Sequence, residues 1–432
     1  MKRTSLILVI LSLCFSSYAQ YTDQKVADLI NTYDYLELKR VYPTIKDSLA
    51  YPMIGLMAEA GINCAFNQPH EAISLLDSLL NNYSADLGSS AVIAYTIIKA
   101  EQLSKIGKYK EAAETLKKVN DYDKDAEMQT MIYNYYKGYK NLSNTPKSEV
   151  IRQSPNSEVI IDMITDIKGA KHYWYIPVEI NGTKEPFIFD TGAAIHMVST
   201  SFAKKHHIKV VADSMSITGI SGDIVYSKVG VVDTLRIGNI TYTNVKVNIL
   251  DNIFPKTDSL VYIMEAVLGN PFMEAIGQTI IYPKEQKIIF PSLSQDLNIQ
   301  KRPSNMINFM GSVGVEAFYN NLRLLLFCDT GMTMEGYINY DFYQQNKDKL
   351  GELKLKEDSV KAGGISGFIV NKSYSISDFP LIIDKHKTNM HKFSIMKNAN
   401  RKYNGYLGVD CFKNCKEILL DFKNMIIMRI SS

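Results

Sequence analysis

From residue 21 to residue 145 apolar residues recur at helical spacing, as in segments 71–80 and 91–103. Residues 143–157 are polar and carry Pro146 and Pro155, a composition that suits a connection better than a packed element. Beyond them the texture changes to short β-type runs at 173–180, 187–189, 224–232, 241–250 and 279–290, separated by Gly, Asn and Asp turns. The pattern predicts a multidomain chain, helical first and all-β afterwards. Expected boundaries are 20–145 for the helical domain, 146–160 for a linker, 161–295 for a first β lobe and 296–432 for a second.

The two lobes are separated because the β-type region repeats itself. An apolar run ending in Asp190-Thr191-Gly192 has an echo ending in Asp329-Thr330-Gly331. Gly219-Ile220-Ser221-Gly222 follows the first, and Gly364-Ile365-Ser366-Gly367 follows the second. Val267-Leu268-Gly269 is matched by Tyr406-Leu407-Gly408, and each of these glycines lies 79 residues after its aspartate. Both copies close with an apolar hairpin. Shared landmarks in one order imply a duplicated fold rather than chance turns. In the helical part, 107–116 resembles the middle of a tetratricopeptide repeat, and 68–72 resembles the same point about 40 residues upstream. A short helical array follows as the expectation, acting as a structural cap or as a surface for a protein partner.

Charge adds little. With 48 basic and 45 acidic residues, bulk charge gives no ground for a nucleic-acid partner. Residues 1–19 have the form of a secretory signal: Lys2 and Arg3, an apolar stretch at 6–15, and Ser17-Tyr18-Ala19 before a mature start at Gln20. Export to the periplasm or the exterior is therefore expected. Cys64, Cys328, Cys411 and Cys415 are too few for a disulfide scaffold; Cys411 and Cys415 either pair or pack. No Cys/His set has zinc-site spacing, and no metal or cofactor is expected. His196, His206 and His207, along an expected helix and its flank, are assigned surface or core roles, as is Trp174 a packing role.

Two carboxylates brought within about 3 Å cannot both ionise cheaply, so they share a proton. Such a pair activates water with its anion and polarises a carbonyl with its acid. These motifs resemble the aspartic peptidases. The Asp-Thr-Gly-Ala form at 190–193 and the simple glycine turns are similar to retropepsins, whereas two lobes in one chain are similar to pepsin. The order of leader, helical region and this domain resembles exported aspartyl protease family proteins of the Bacteroidetes. The resemblance, over roughly residues 165–430, implies a two-lobed pepsin-like or retropepsin-like β-barrel domain and an aspartic endopeptidase acting on peptide or protein substrates as a monomer. It makes Asp190 and Asp329 the catalytic pair, with Gly192 and Gly331 in the catalytic loops. Thr191 and Thr330 would cross-brace those loops, and Gly269 and Gly408 would pass behind them. Gly219, Ile220, Ser221 and Gly222 would form a flap, and Gly364, Ile365, Ser366 and Gly367 either a second flap or an ordinary hairpin.

This chain departs from the pepsin pattern in three places. No tyrosine stands near the flap tip, the nearest being Tyr226, and Ala193 and Met332 replace the usual hydroxyl residue after each motif. Without that donor a dyad pKa nearer neutrality is expected, and the bulk of Met332 is expected to narrow the second half-site. The rival readings are a non-hydrolysing peptide-binding module of the same fold, and a scaffold acting through the helical domain.

Overall fold

The computed structural model describes residues 17–119, 122, 125–167, 173–219, 223–251, 253, 264–293, 302–365, 367–397 and 402–431. Residues 1–16, most of the expected leader, fall outside these. The chain divides into two compact units, Met1–Lys147 with Ser214–Ser216, and Ser148–Asp213 with Ile217–Ser432.

The first unit consists of α1 (Ser17–Asn31), α2 (Tyr35–Ile45), α3 (Pro52–Ala65), α4 (Pro69–Lys105), α5 (Tyr109–Lys117) and α6 (Ala126–Leu142). Proline at the first position of α3 and α4 costs no hydrogen bond there. Asp34 and Asp125 cap α2 and α6 by accepting from the backbone N–H of Glu37 and Met128. Gly88, at φ 72° and ψ 161°, breaks α4 in two, a conformation open to glycine at little cost. Left-handed turns at Asn67 and Gly107, 40 residues apart, precede α4 and α5. Successive helices from α3 to α6 pack on one another, burying Leu76, Leu79, Ala100, Leu103, Ala112 and Leu116.

The second unit opens with β1 (Glu149–Arg152) and β2 (Val159–Asp162). β1 lies inside 146–160, the span expected to be a linker, and β2 begins inside it and runs two residues beyond its end. Their residues alternate in exposure because each is an edge strand, half solvated, so their apolar content stays low. Lobe 1 continues with β3 (Tyr175–Ile180), β4 (Thr183–Phe189), β5 (His196–Ser199), α7 (Thr200–Lys205), β6 (Lys209–Thr218), β7 (Ile224–Ile237), β8 (Ile240–Leu250), β9 (Ala266–Leu268), α8 (Asn270–Ile276), β10 (Gln278–Tyr282) and β11 (Lys287–Phe290). Lobe 2 holds β12 (Met306–Phe309), β13 (Ser312–Tyr319), β14 (Leu322–Asp329), β15 (Gly336–Asn339), α9 (Tyr340–Gln345), α10 (Lys347–Leu350), β16 (Leu355–Gly364), β17 (Gly367–Ile376), β18 (Phe379–Ile383), β19 (His386–Met390), β20 (Phe393–Met396), β21 (Gly405–Gly408), β22 (Cys415–Asp421) and β23 (Ile426–Ser431).

Three sheets form among the described residues. Lobe 1 orders its strands β1-β8-β5-β9-β4-β3-β7-β6, with a further β7–β8 pairing that curls the sheet on itself. Lobe 2 runs β16-β17-β20-β15-β21-β14-β13-β18-β19, with β12 beside β13. The chain is thus mixed α and β. Hairpin turns fix register: Asn181-Gly182 joins β3 to β4 with both residues at positive φ, and Asn320 turns β13 into β14 at the same distance from its aspartate. The duplication extends to pairing. β4 lies parallel to β9 and β14 parallel to β21, while β5 and β15 run antiparallel to those same partners. The third sheet, β2-β11-β10-β22-β23, takes strands from both lobes. Its central pair, β10 with β22, sets Gln278 opposite Asp421 and joins the two closing hairpins.

Candidate active site

β4 and β14 lead to their aspartates through buried apolar residues, Phe187 to Phe189 and Leu324 to Leu326, because both are central strands. Each ends at its aspartate, where the backbone turns and polar groups must be satisfied by neighbours. Thr191 and Thr330 satisfy them reciprocally. The Thr191 hydroxyl donates to the carbonyl of Cys328 at 2.8 Å and accepts from the N–H of Thr330 at 3.1 Å. The Thr330 hydroxyl donates to the carbonyl of Phe189 at 2.9 Å and accepts from the N–H of Thr191 at 2.9 Å. Both threonines are buried, so these four bonds lock one loop to the other.

Above this brace the carboxyl groups of Asp190 and Asp329 converge on the same backbone N–H, that of Gly331. Oδ1 of Asp190 accepts from the N–H of Gly192 at 2.7 Å and of Gly331 at 3.1 Å, and Oδ1 of Asp329 accepts from Gly331 at 2.9 Å. The glycines are required by space. A Cβ on Gly192 would stand 2.2 Å from Oδ1 of Asp329, and one on Gly331 2.5 Å from Oδ2 of Asp190. Any larger residue would push the two carboxyls apart.

Burial raises the pKa of both acids, and the backbone N–H groups of Gly192, Gly331 and Ala193 oppose that rise at Asp190. Asp329 is held well above the ordinary value by burial and then by the charge of Asp190. The pair therefore titrates as a unit, with the anion favoured on Asp190 and the proton on Asp329. Ala193 and Met332 offer only backbone N–H groups to the carboxyls, in place of a side-chain hydroxyl. The Met332 methyl lies against Gly408, within a cluster containing Tyr337, Met396 and Tyr406, so its bulk is turned toward the lobe 2 core.

Gly269 and Gly408 run directly behind the two Asp-Thr-Gly loops. A Cβ on either would stand 2.2–2.4 Å from a carbonyl oxygen, of Ala193 or of Met334 respectively. The N–H of Asn270 donates to the carbonyl of Ala193 and that of Val409 to the carbonyl of Met332, both at 2.9 Å. His196 lies on β5 rather than on a helix. Its Nδ1 accepts from the N–H of Gly269 at 3.1 Å, which leaves Nε2 to donate to the Tyr242 hydroxyl. Burial pushes its pKa down to about 3, so it stays neutral as a positioning group. His206 is buried on Glu185 and His207 is exposed, so neither reaches the dyad.

The glycine turns are described in part. Gly219 donates to the carbonyl of Asp223 across the end of the β6–β7 hairpin; Ile220, Ser221 and Gly222 lie outside the described residues. In lobe 2 Gly364 pairs with Gly367, Ser366 is outside the described residues, and Ile365 packs on the apolar cluster of lobe 1 around Ala193 and Met197. The second hairpin thus reaches from its own lobe to the other. Tyr226 is exposed on β7. Tyr173, by contrast, meets Thr333 of lobe 2. Its phenol is pushed up to about 12 by burial, with the charges of both aspartates adding to the rise. Its place beside the dyad had no signal in the sequence, since it precedes β3 by two residues and follows no motif. Cys64, Cys328, Cys411 and Cys415 are all free and buried, and burial pushes the Cys328 thiol up to about 12, which leaves it a packing residue.

Residues 176–272 match the family model for aspartyl proteases. The lobe bearing Asp190 is aspartic-protease-like. Among solved structures, a retropepsin-like aspartic protease from Rickettsia conorii aligns at 19% identity and a TM-score of 0.22, over 33% of this chain and 90% of its own. Conglutin gamma, a basic 7S globulin from lupine seeds, aligns at 8% identity and 0.39, over 64% and 95%. The basic 7S globulin from soybean aligns at 13% and 0.34, over the same shares. No curated protein matches the chain.

Proposed function

We propose that this chain is an aspartic endopeptidase that hydrolyses peptide bonds with water activated between Asp190 and Asp329. The observation that carries the reading is the pair of carboxyls that converge on the N–H of Gly331, held on the reciprocal threonine brace. Asp190, the anion with the larger share of backbone N–H donors, takes a proton from the water as its oxygen attacks the scissile carbonyl carbon. Asp329 gives its proton to the carbonyl oxygen, forming a gem-diol. The proton on Asp190 then passes to the leaving nitrogen, and a diol proton returns to Asp329 as the C–N bond breaks. Both acids come from one chain, so a monomer suffices, and the extended substrate would pair its backbone with the strand edges of the cleft.

The chemistry needs no metal or cofactor. The apparent pKa of the pair is set by burial with only backbone donors to oppose it, which favours activity nearer neutrality than a hydroxyl-assisted pair would allow. We also propose that the mature chain begins near Gln20 and works outside the cytoplasm, with the helical unit as the surface for a protein partner. The test is cleavage of a mixed peptide library from pH 4 to 8 by the wild type, Asp190→Asn and Asp329→Asn proteins. Cleavage lost in both variants supports the dyad. A folded wild type that cleaves nothing at any pH refutes the enzyme and leaves a peptide-binding module.

A further inference from the structure

Side chains alternate along a strand, so the residue two before each aspartate shares its sheet face. In lobe 1 this is Ile188, which pairs with Val267 on β9, which in turn opposes Met197 on β5. In lobe 2 the same three register positions hold Phe327, Tyr406 and Tyr337. An aliphatic and thioether row thus flanks Asp190, and an all-aromatic row flanks Asp329. The rings form a continuous floor: Tyr337 stacks on Tyr406 at 4.8 Å and 14°, and Phe327 meets Tyr406 edge-on at 4.9 Å.

The loops above repeat the contrast. Ala193 and Ile195 pack on the first row, whereas Met332 and Met334 pack on the second. The first row is buried, with Ile365 against its cluster; in the second Tyr337 and Tyr406 are buried, while Phe327 and the Met332 and Met334 side chains packed over the rings are half-buried. A duplicated fold has no structural need to differ in chemistry at every matched position beside its two acids.

We propose that the two halves of the cleft select different side chains, so that the bond cleaved joins an aliphatic residue, held by lobe 1, to an aromatic one, held by lobe 2. This rests on the peptidase reading of the same site. Ring-on-ring and sulfur-on-ring contacts add to simple burial, which favours an aromatic over an aliphatic occupant of lobe 2 by about tenfold.

The test profiles cleavage of a randomised, end-blocked octapeptide library by mass spectrometry, for the wild type and for Phe327→Ile, which installs the lobe 1 residue type. The expected wild-type profile has aromatics on one side of the cut and aliphatics on the other. Phe327→Ile then lowers the aromatic preference about tenfold on that side and leaves the other side unchanged. Met334→Ile serves as a second variant should the first fail to fold. The same preference on both sides, or an aromatic preference untouched in both folded variants, overturns the proposal. A second arm separates failure of the pockets from failure of the enzyme. Binding of blocked peptides, with Phe or Leu at one position, to Asp329→Asn is followed by fluorescence anisotropy. An aromatic preference that Phe327→Ile removes supports the pockets even where no hydrolysis occurs, and equal affinities overturn them.

Discussion

Replacing Thr330 by valine keeps the shape of a buried side chain and deletes one oxygen. That oxygen is an acceptor for the N–H of Thr191 and a donor to the carbonyl of Phe189, each at 2.9 Å. Thr330 is 1% exposed, so water has no access to either orphaned group. A buried polar group left without its partner costs roughly 1–3 kcal/mol, which puts the pair at about 2–6 kcal/mol. At roughly 2–4 °C per kcal/mol for a unit of this size, the melting transition of the β unit should fall by about 4–24 °C in differential scanning calorimetry. Thr330→Ser keeps the hydroxyl and loses a methyl, so it should stay within about 1 kcal/mol of the wild type. A Thr330→Val protein that melts within 2 °C of the wild type while Thr330→Ser behaves normally would refute the brace as a source of stability. Library cleavage measured alongside should drop further than stability explains, because the carboxyl spacing depends on the same loop.

Other outcomes follow from the same geometry. Gly331→Ala sets a methyl 2.5 Å from Oδ2 of Asp190 and should reduce hydrolysis by on the order of a hundredfold, in a protein whose circular dichroism is unchanged. Asp329→Asn should stabilise the protein at neutral pH. The folded chain holds the Asp329 proton that an unfolded aspartate releases near about 4, so wild-type stability is full below that value and declines as pH rises toward the folded value. The variant should lose that decline in pH-dependent thermal melts, and an unchanged slope would count against the shared proton. Asp421→Ala should cost about 3 kcal/mol or more in chemical denaturation. The Asp421 carboxylate accepts from the N–H groups of Lys423 and Asn424, both at 2.9 Å, and from the side chains of Gln278 and Asn424, at 2.9 and 2.7 Å, where the closing hairpins meet.

The chain's sequence determined the duplicated β architecture and the two aspartate motifs. Both are local signals: strand-length apolar runs, turn glycines at matched intervals, and an Asn-Gly hairpin that sets its own register. The helical character of residues 21–145 was equally legible, because amphipathic spacing is written within one element. Edge strands β1 and β2 were not, since half-solvated strands of four residues look like a polar connection until a partner sheet is present. Tertiary structure alone decided that Met332 points to Gly408, that His196 supports Gly269, and that Tyr173 meets Thr333 beside the carboxyls. It also decided the sharing of the proton. Asp190 and Asp329 are 139 residues apart with nearly the same neighbours in sequence, and only their meeting in a buried site, with unequal numbers of backbone donors, separates the anion from the acid.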